Sequence, residues 1–196
     1  TVEGDKKVTI VVTYPDGTAD EITTTVGVIE AGKVDLSGLE KSVNPTNEPQ
    51  KTGIKVNDQI SSKDITATWA DKEGNTGTIG SDKFTIDGGE VFITPGTDAK
   101  GEITVKIDNT TMKEPVKPKL HVNTQADRYT PEANGEKQTV TVGTTLDQPL
   151  AEKIVTNIDD LPSGTTADFK PEDGKAPVAT VEGDKKVTIV VTYPDG

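Results

Sequence analysis

The chain has 196 residues, of which 31% are hydrophobic and only 4% aromatic, with a net charge of −12. So few aromatics beside 31 threonines favour half-buried strands over one large globular core. A single arginine and diffuse acidity leave no basic footprint for nucleic acid or anionic lipid, and the lack of cysteine excludes disulfides, thiolate metal sites and a cysteine nucleophile.

Residues 7–14 (KVTIVVTY) alternate in the manner of a strand and place Val8, Ile10, Val12 and Tyr14 on one face. Pro15-Asp16-Gly17 reads as a turn, because proline presets φ and glycine supplies a positive φ. Residues 20–28 form a second strand with Ile22, Thr24, Val26 and Val28 on a shared face, which predicts a hairpin. The first seventeen residues, TVEGDKKVTIVVTYPDG, then return unchanged as Thr180 to Gly196, an offset of 179 positions. Solenoid repeats run to roughly 20–50 residues, so a period this long points to repeating units made of whole domains. The expectation is a window on a longer tandem array. Residues 1–28 would be the C-terminal hairpin of a preceding domain, 29–123 a complete domain, and 124–196 a domain lacking its last strand.

Within 29–123 the strand candidates are 53–60, 64–70, 76–86, 90–94, 101–107 and 117–123. Asn44-Pro45, Asp71 to Asn75, Asp87-Gly88-Gly89 and Pro95-Gly96 separate them. Short strands with turn signals about every 8–12 residues predict an antiparallel, immunoglobulin-like sandwich. Trp69 alternates with Ile65 and Ala67 and is expected to anchor the core, joined by Phe84, Ile86, Phe92, Ile103, Val105 and Ile107. Prolines 115 and 118 make Lys113 to Lys119 an extended segment, either an approach to an edge strand or a semi-rigid spacer. Further on, Gln148 to Val155 has helical spacing, with Leu150, Ile154 and Ile158 recurring every four residues. It is expected to be the one short helix of the chain.

Three stretches of the last domain carry a family resemblance: Asp127-Arg128-Tyr129-Thr130-Pro131, then Asp159-Asp160-Leu161-Pro162-Ser163-Gly164-Thr165, then Val190-Val191-Thr192-Tyr193-Pro194-Asp195-Gly196. In this order they resemble the Rib domain, the repeat of Rib and alpha-like surface proteins of Gram-positive bacteria. The resemblance covers residues 124–196, with 1–28 as the other end of the same domain. It implies a compact immunoglobulin-like sandwich with a reduced strand set, used in tandem on the cell wall. The fold class expected for the chain is therefore all-β: tandem antiparallel sandwiches in an elongated rod.

Reactive groups are scarce. His121 is the only histidine, and no nucleophile elbow or phosphate loop is present. Asp159-Asp160, Asp87 with Glu90, and Asp71 with Glu73 are the acidic groupings a calcium ion could use, but Asp159 and Asp160 are adjacent, Asp87 has no acid at 85 or 89, and Asp71 and Glu73 have Lys72 between them. Lys106 and Lys55 are the lysines to examine for a Lys–Asn isopeptide bond, though their strand phase points them outward. Asn109-Thr110-Thr111 matches the N-glycosylation pattern and reads as a surface loop. No residue is assigned a catalytic, cofactor-binding or metal-binding role, and the chain is not expected to be an enzyme.

The expected function is a structural stalk repeat of an extracellular, cell-wall-anchored protein that projects a distal adhesive region. The alternative is that the repeats are themselves adhesin modules binding host glycan or protein, with Tyr129 the best exposed stacking platform. Expected partners are neighbouring repeat domains and host surface ligands, with neither nucleic acid nor membrane insertion. Because the strand equivalent to 20–28 does not follow Gly196 here, head-to-tail strand exchange between chains is also expected.

Overall fold

Ten residues on either side of one turn form the opening hairpin: β1 (Gly4–Thr13) and β2 (Ala19–Val28) pair antiparallel along their whole length. The turn closes with Tyr14 N donating to Thr18 O at 2.8 Å and Gly17 N donating to Tyr14 O at 3.0 Å. Gly17 sits at φ 86°, the left-handed position that ends a three-residue hairpin loop. The predicted face is present, but its members Ile10, Val12, Tyr14, Ile22 and Val26 are all exposed. The computed structural model describes residues 3–171 and 174–195. It divides into two compact units, Thr1–Val122 and Asn123–Gly196.

The hydrophobic core of the first unit lies in nine further strands: β3 (Val34–Asp35), β4 (Ser42–Val43), β5 (Gln50–Val56), β6 (Ile65–Ala70), β7 (Thr76–Ile79), β8 (Phe84–Asp87), β9 (Glu90–Ile93), β10 (Glu102–Ile107) and β11 (Lys119–Val122). One sheet runs β4-β11-β10-β6-β7 and the other β3-β5-β9-β8. Between them lie the fully buried Ile54, Ile65, Ile93, Ile103, Ile107, Leu120, Val91 and Val105. Burial alternates along β6 and β10 with the period of two that a half-buried strand requires. Thr52 is the one buried polar residue among those described. Its hydroxyl donates to Val91 O at 2.7 Å and accepts from Ile54 N at 3.1 Å. A bulge between Lys51 and Lys55 bends β5 there. Gly53, at φ 69°, fits because a Cβ would stand 1.7 Å from Gly38 O.

Two core expectations are corrected. Phe92 faces away from the core, because β9 pairs with β8 in a register that sets Val91 opposite Ile86 and Ile93 opposite Phe84. Val91 and Ile93 are the buried pair, while Phe92 lies beneath the Lys51 ammonium, 5.9 Å from the ring centre. Trp69 is on the core side of β6 but only half-buried at its end, with its indole lying over Gly77. The candidate strand 76–86 is interrupted by a 3-10 turn over Ser81–Lys83. The segment around Pro115 and Pro118 is tied to β10: Val116 and Ile107 exchange backbone bonds of 2.9 Å, and Val105 N donates to Pro118 O at 2.9 Å. It leads into β11, which lies between β4 and β10, so it is neither the approach to an edge strand nor a spacer.

The second unit contains α1 (Gln125–Arg128), α2 (Gln148–Ile154), β12 (Thr166–Phe169) and β13 (Ile189–Thr192). The expected helix is α2. The expectation of one helix is corrected by α1, a single turn capped by Thr124, whose hydroxyl accepts from Asp127 N. A small core holds Ala151, Val155, Leu161, Ala167, Phe169 and Tyr193, with Leu150, Ile154 and Ile158 packed against it. The whole chain is thus mostly antiparallel strand with two short helices.

Candidate functional site

None of the acidic groupings becomes a metal centre: among the described residues no three His, Asp or Glu side chains converge on a common point. Asp159 and Asp160 are exposed on a 3-10 turn, Ile158–Asp160. Asp71 accepts from the Asn75 side chain and backbone, both at 2.7 Å, and the Asn75 side-chain bond above all holds its pKa below the ordinary carboxylate value. Glu90 pairs with Lys51 at 3.0 Å. Lys106 is exposed and pairs with Asp108 at 2.7 Å, Lys55 is exposed on β5, and His121 is exposed on β11. The Asn109 side chain is engaged in its own turn, donating to Gln59 O at 3.0 Å and accepting from Thr111 N at 2.9 Å.

What the structure does bring together is the three stretches of the last domain that carried the resemblance. Tyr193 O–H donates to Tyr129 O at 3.4 Å, and the two rings lie 6.4 Å apart, centre to centre. Gln125 N donates to the Asp195 carboxylate at 2.5 Å. Gly164, at φ 91°, closes the Pro162–Thr165 turn so near Pro194 that a Cβ would be 3.3 Å from its ring. The motif residues therefore meet at one corner, where Leu161 and Tyr193 are buried and the other described ones lie at the surface or are half-buried. Their spacing in the sequence reflects packing and not a reactive cluster.

Beside this corner lies a two-stranded sheet, β12 paired with β13. Helix α2 begins where the Asp147 carboxylate accepts from Leu150 N at 3.2 Å, with Pro149 in the first turn where its missing N–H is harmless. After the helix the chain turns back on 130–134. Asn134 N donates to Ile154 O and Thr156 N to Glu132 O, both at 2.8 Å, and Asn157 bonds Glu132 N and Thr130 O. Between this ribbon and β13 is a recess of about 290 Å³ lined by Pro131, Glu132, Ala133, Ile154, Val155, Val187, Ile189 and Val191. β13 pairs with β12 on one edge, and among the described residues no strand lies on its other edge.

The family model of the Rib domain matches residues 1–30 and 125–196, more than half of the chain. The chain belongs to the Rib domain family. The two matched stretches share the seventeen-residue sequence, which stands at the start of the first and the end of the second. The chain is also 33% identical, over all of its length, to the C protein alpha-antigen of Streptococcus agalactiae serotype Ia, and spans 18% of that protein's length. It is accordingly a repeat of the Rib and alpha-like surface proteins of Gram-positive bacteria. Sequence reading found the corner through its motifs. It missed the recess, because Pro131 to Ala133 and Val187 carry no pattern that announces a shared cavity.

Proposed function

We propose that the chain is one period of a structural stalk in a cell-wall-anchored surface protein, holding a distal adhesive region away from the wall. The observation behind this reading is the unchanged return of seventeen residues after 179 positions. Such a period lets copies be added in series, each folding on its own core, so that stalk length follows copy number. Two features support stiffness. The Pro115 to Pro118 segment is bonded to β10 and is no loose spacer, and only Asn123 and Thr124 separate β11 from α1. The experiment is small-angle scattering on chains of one, two and four periods. A maximum dimension that grows in proportion to period number is expected, whereas growth near the square root would show freely pivoting modules and defeat the stalk.

A second reading, in which the repeats are adhesin modules for host glycan or protein, draws on Tyr129. Tyr129 is 37% exposed, and the Arg128 guanidinium lies over its ring, 5.6 Å from the ring centre. A multi-repeat chain that bound immobilised glycans, and lost binding with Tyr129→Ala, would favour this reading over the stalk.

A further inference from the structure

The chain passes from the β1–β2 hairpin into the sheets of the first unit through residues 29–33, which belong to no strand. Residues 31–33 are nevertheless held from the side of the core. β3 pairs with β5 only as far as Val34 and Val56, because the chain then turns away, with Ile60 N donating to Asn57 O at 3.1 Å. Asn57 continues the ladder with its side chain, a carboxamide that offers both the donor and the acceptor of a peptide group. Its Oδ1 accepts from Lys33 N at 2.9 Å, and its Nδ2 donates to Ala31 O at 3.0 Å. Its own N donates to Lys33 O at 3.2 Å.

Gly32 is held by the turn that carries the glycosylation pattern, Asn109-Thr110-Thr111. Gly32 N donates to Thr111 Oγ1 at 2.8 Å, the Thr111 hydroxyl donates to Asn109 Oδ1 at 2.7 Å, and Asn109 Nδ2 donates to Gln59 O at 3.0 Å. These half-buried bonds run in series, so each polarises the next. Position 32 leaves no room for a side chain. A Cβ there would stand 2.8 Å from Met112 Cγ and 3.1 Å from Ile60 Cγ1, and Ile60 belongs to the core against which Met112 packs.

We infer that Asn57, Asn109 and Thr111 form a strap that stiffens the joint between the β1–β2 hairpin and the sheets that follow it. With residues 31–33 bound, only Ile29 and Glu30 separate β2 from chain that the core holds. Release of the strap would lengthen the joint to the whole of 29–33, and each residue freed regains its backbone conformations. The Glu30–Lys33 ion pair lies at the surface and contributes little to the joint. The inference rests on the stalk reading, in which joints must resist bending, and it names the side chains that stiffen one of them.

The test uses a chain of two periods with spin labels on Thr23→Cys and Thr66→Cys of the second, one on each side of the joint. Both positions are exposed, and the chain has no cysteine of its own to compete. The variants are Asn57→Ala combined with Thr111→Val, and Thr111→Ser alone, which keeps the hydroxyl. The double variant is expected to broaden the label–label distance distribution about twofold and to speed exchange of the Gly32 and Lys33 amides about tenfold, with those of Ile103 and Val105 unchanged as evidence of an intact core. Thr111→Ser is expected to match the wild type in both. Equal widths in the wild type and the double variant would overturn the inference, as would Gly32 and Lys33 amides that already exchange freely in the wild type. A width that broadens only in the double variant sustains the strap even where longer chains fail to grow in proportion to period number, a result that defeats the stalk alone.

Discussion

The same sequence occurs twice in one molecule, and its described residues, 3–16 and 182–195, settle into two structures. At the start of the chain they lie along β2, with Tyr14 44% exposed and its hydroxyl bonded to Asp20 at 3.0 Å. Near the end they lie along β12, with Tyr193 7% exposed and its hydroxyl turned to Tyr129 O. Asp16 is tied to Thr18 within its own turn, whereas its counterpart Asp195 reaches across to Gln125 N. Local propensity is the same in both places and cannot account for the difference. Strand length follows partner length: ten residues against β2, four against β12. A β-strand is a property of the pair and of what covers its face.

The largest expected effect tests burial directly. Tyr193→Ala should destabilise the 123–195 unit by about 3 kcal/mol, the range for removing a buried aromatic. Tyr14→Ala, the same change in the same sequence, should cost less than about 0.5 kcal/mol. Urea titrations of the two variants give the contrast, and equal losses would mean that Tyr14 is covered in solution.

Amide exchange sharpens the comparison at the backbone. Ile10 and Val12 N–H groups should exchange at least tenfold more slowly than those of Ile189 and Val191, and the order should reverse for Val11 and Thr13 against Val190 and Thr192. Alternate residues of an antiparallel strand bond its partner, so a pattern that does not alternate would contradict the two pairings. Asp147→Ala, which removes the cap of the helix packed against β12, should cost about 1 kcal/mol and lower only the 123–195 transition.

The smallest effect concerns acid. The Thr18 N–H, followed by the Thr18 hydroxyl, holds the Asp16 pKa below the ordinary carboxylate value. A carboxyl with a lower pKa folded than unfolded stabilises above the unfolded value and loses that contribution as pH falls through the folded one. The hairpin turn should therefore loosen only below about pH 4, read from the Thr18 amide resonance. A shift already complete at pH 5 would count against the Asp16–Thr18 bonds.

Much of the architecture was legible because alternation and turn chemistry are local. The hairpin register follows from Pro15 to Gly17, the helix from Leu150, Ile154 and Ile158 recurring every four residues, and the sandwich from evenly spaced turns. Phe92 shows where this ends. In Glu90-Val91-Phe92-Ile93 both phases are apolar, so only pairing with β8 decides which one is buried. Likewise β3 and β4, two residues each, have no period to read and exist because β5 and β11 offer them an edge.

By itself, then, the sequence determined that this chain is repetitive, strand-rich, poor in reactive groups and built on Rib motifs, since each of these is written in composition, spacing or identity. Only the tertiary structure decided that the motifs meet at one corner, that a recess opens beside β13, and that Tyr193 is buried where its counterpart Tyr14 is exposed. The reason is physical. Burial and strand pairing are set by segments distant in sequence, and identical residues given different partners reach different minima.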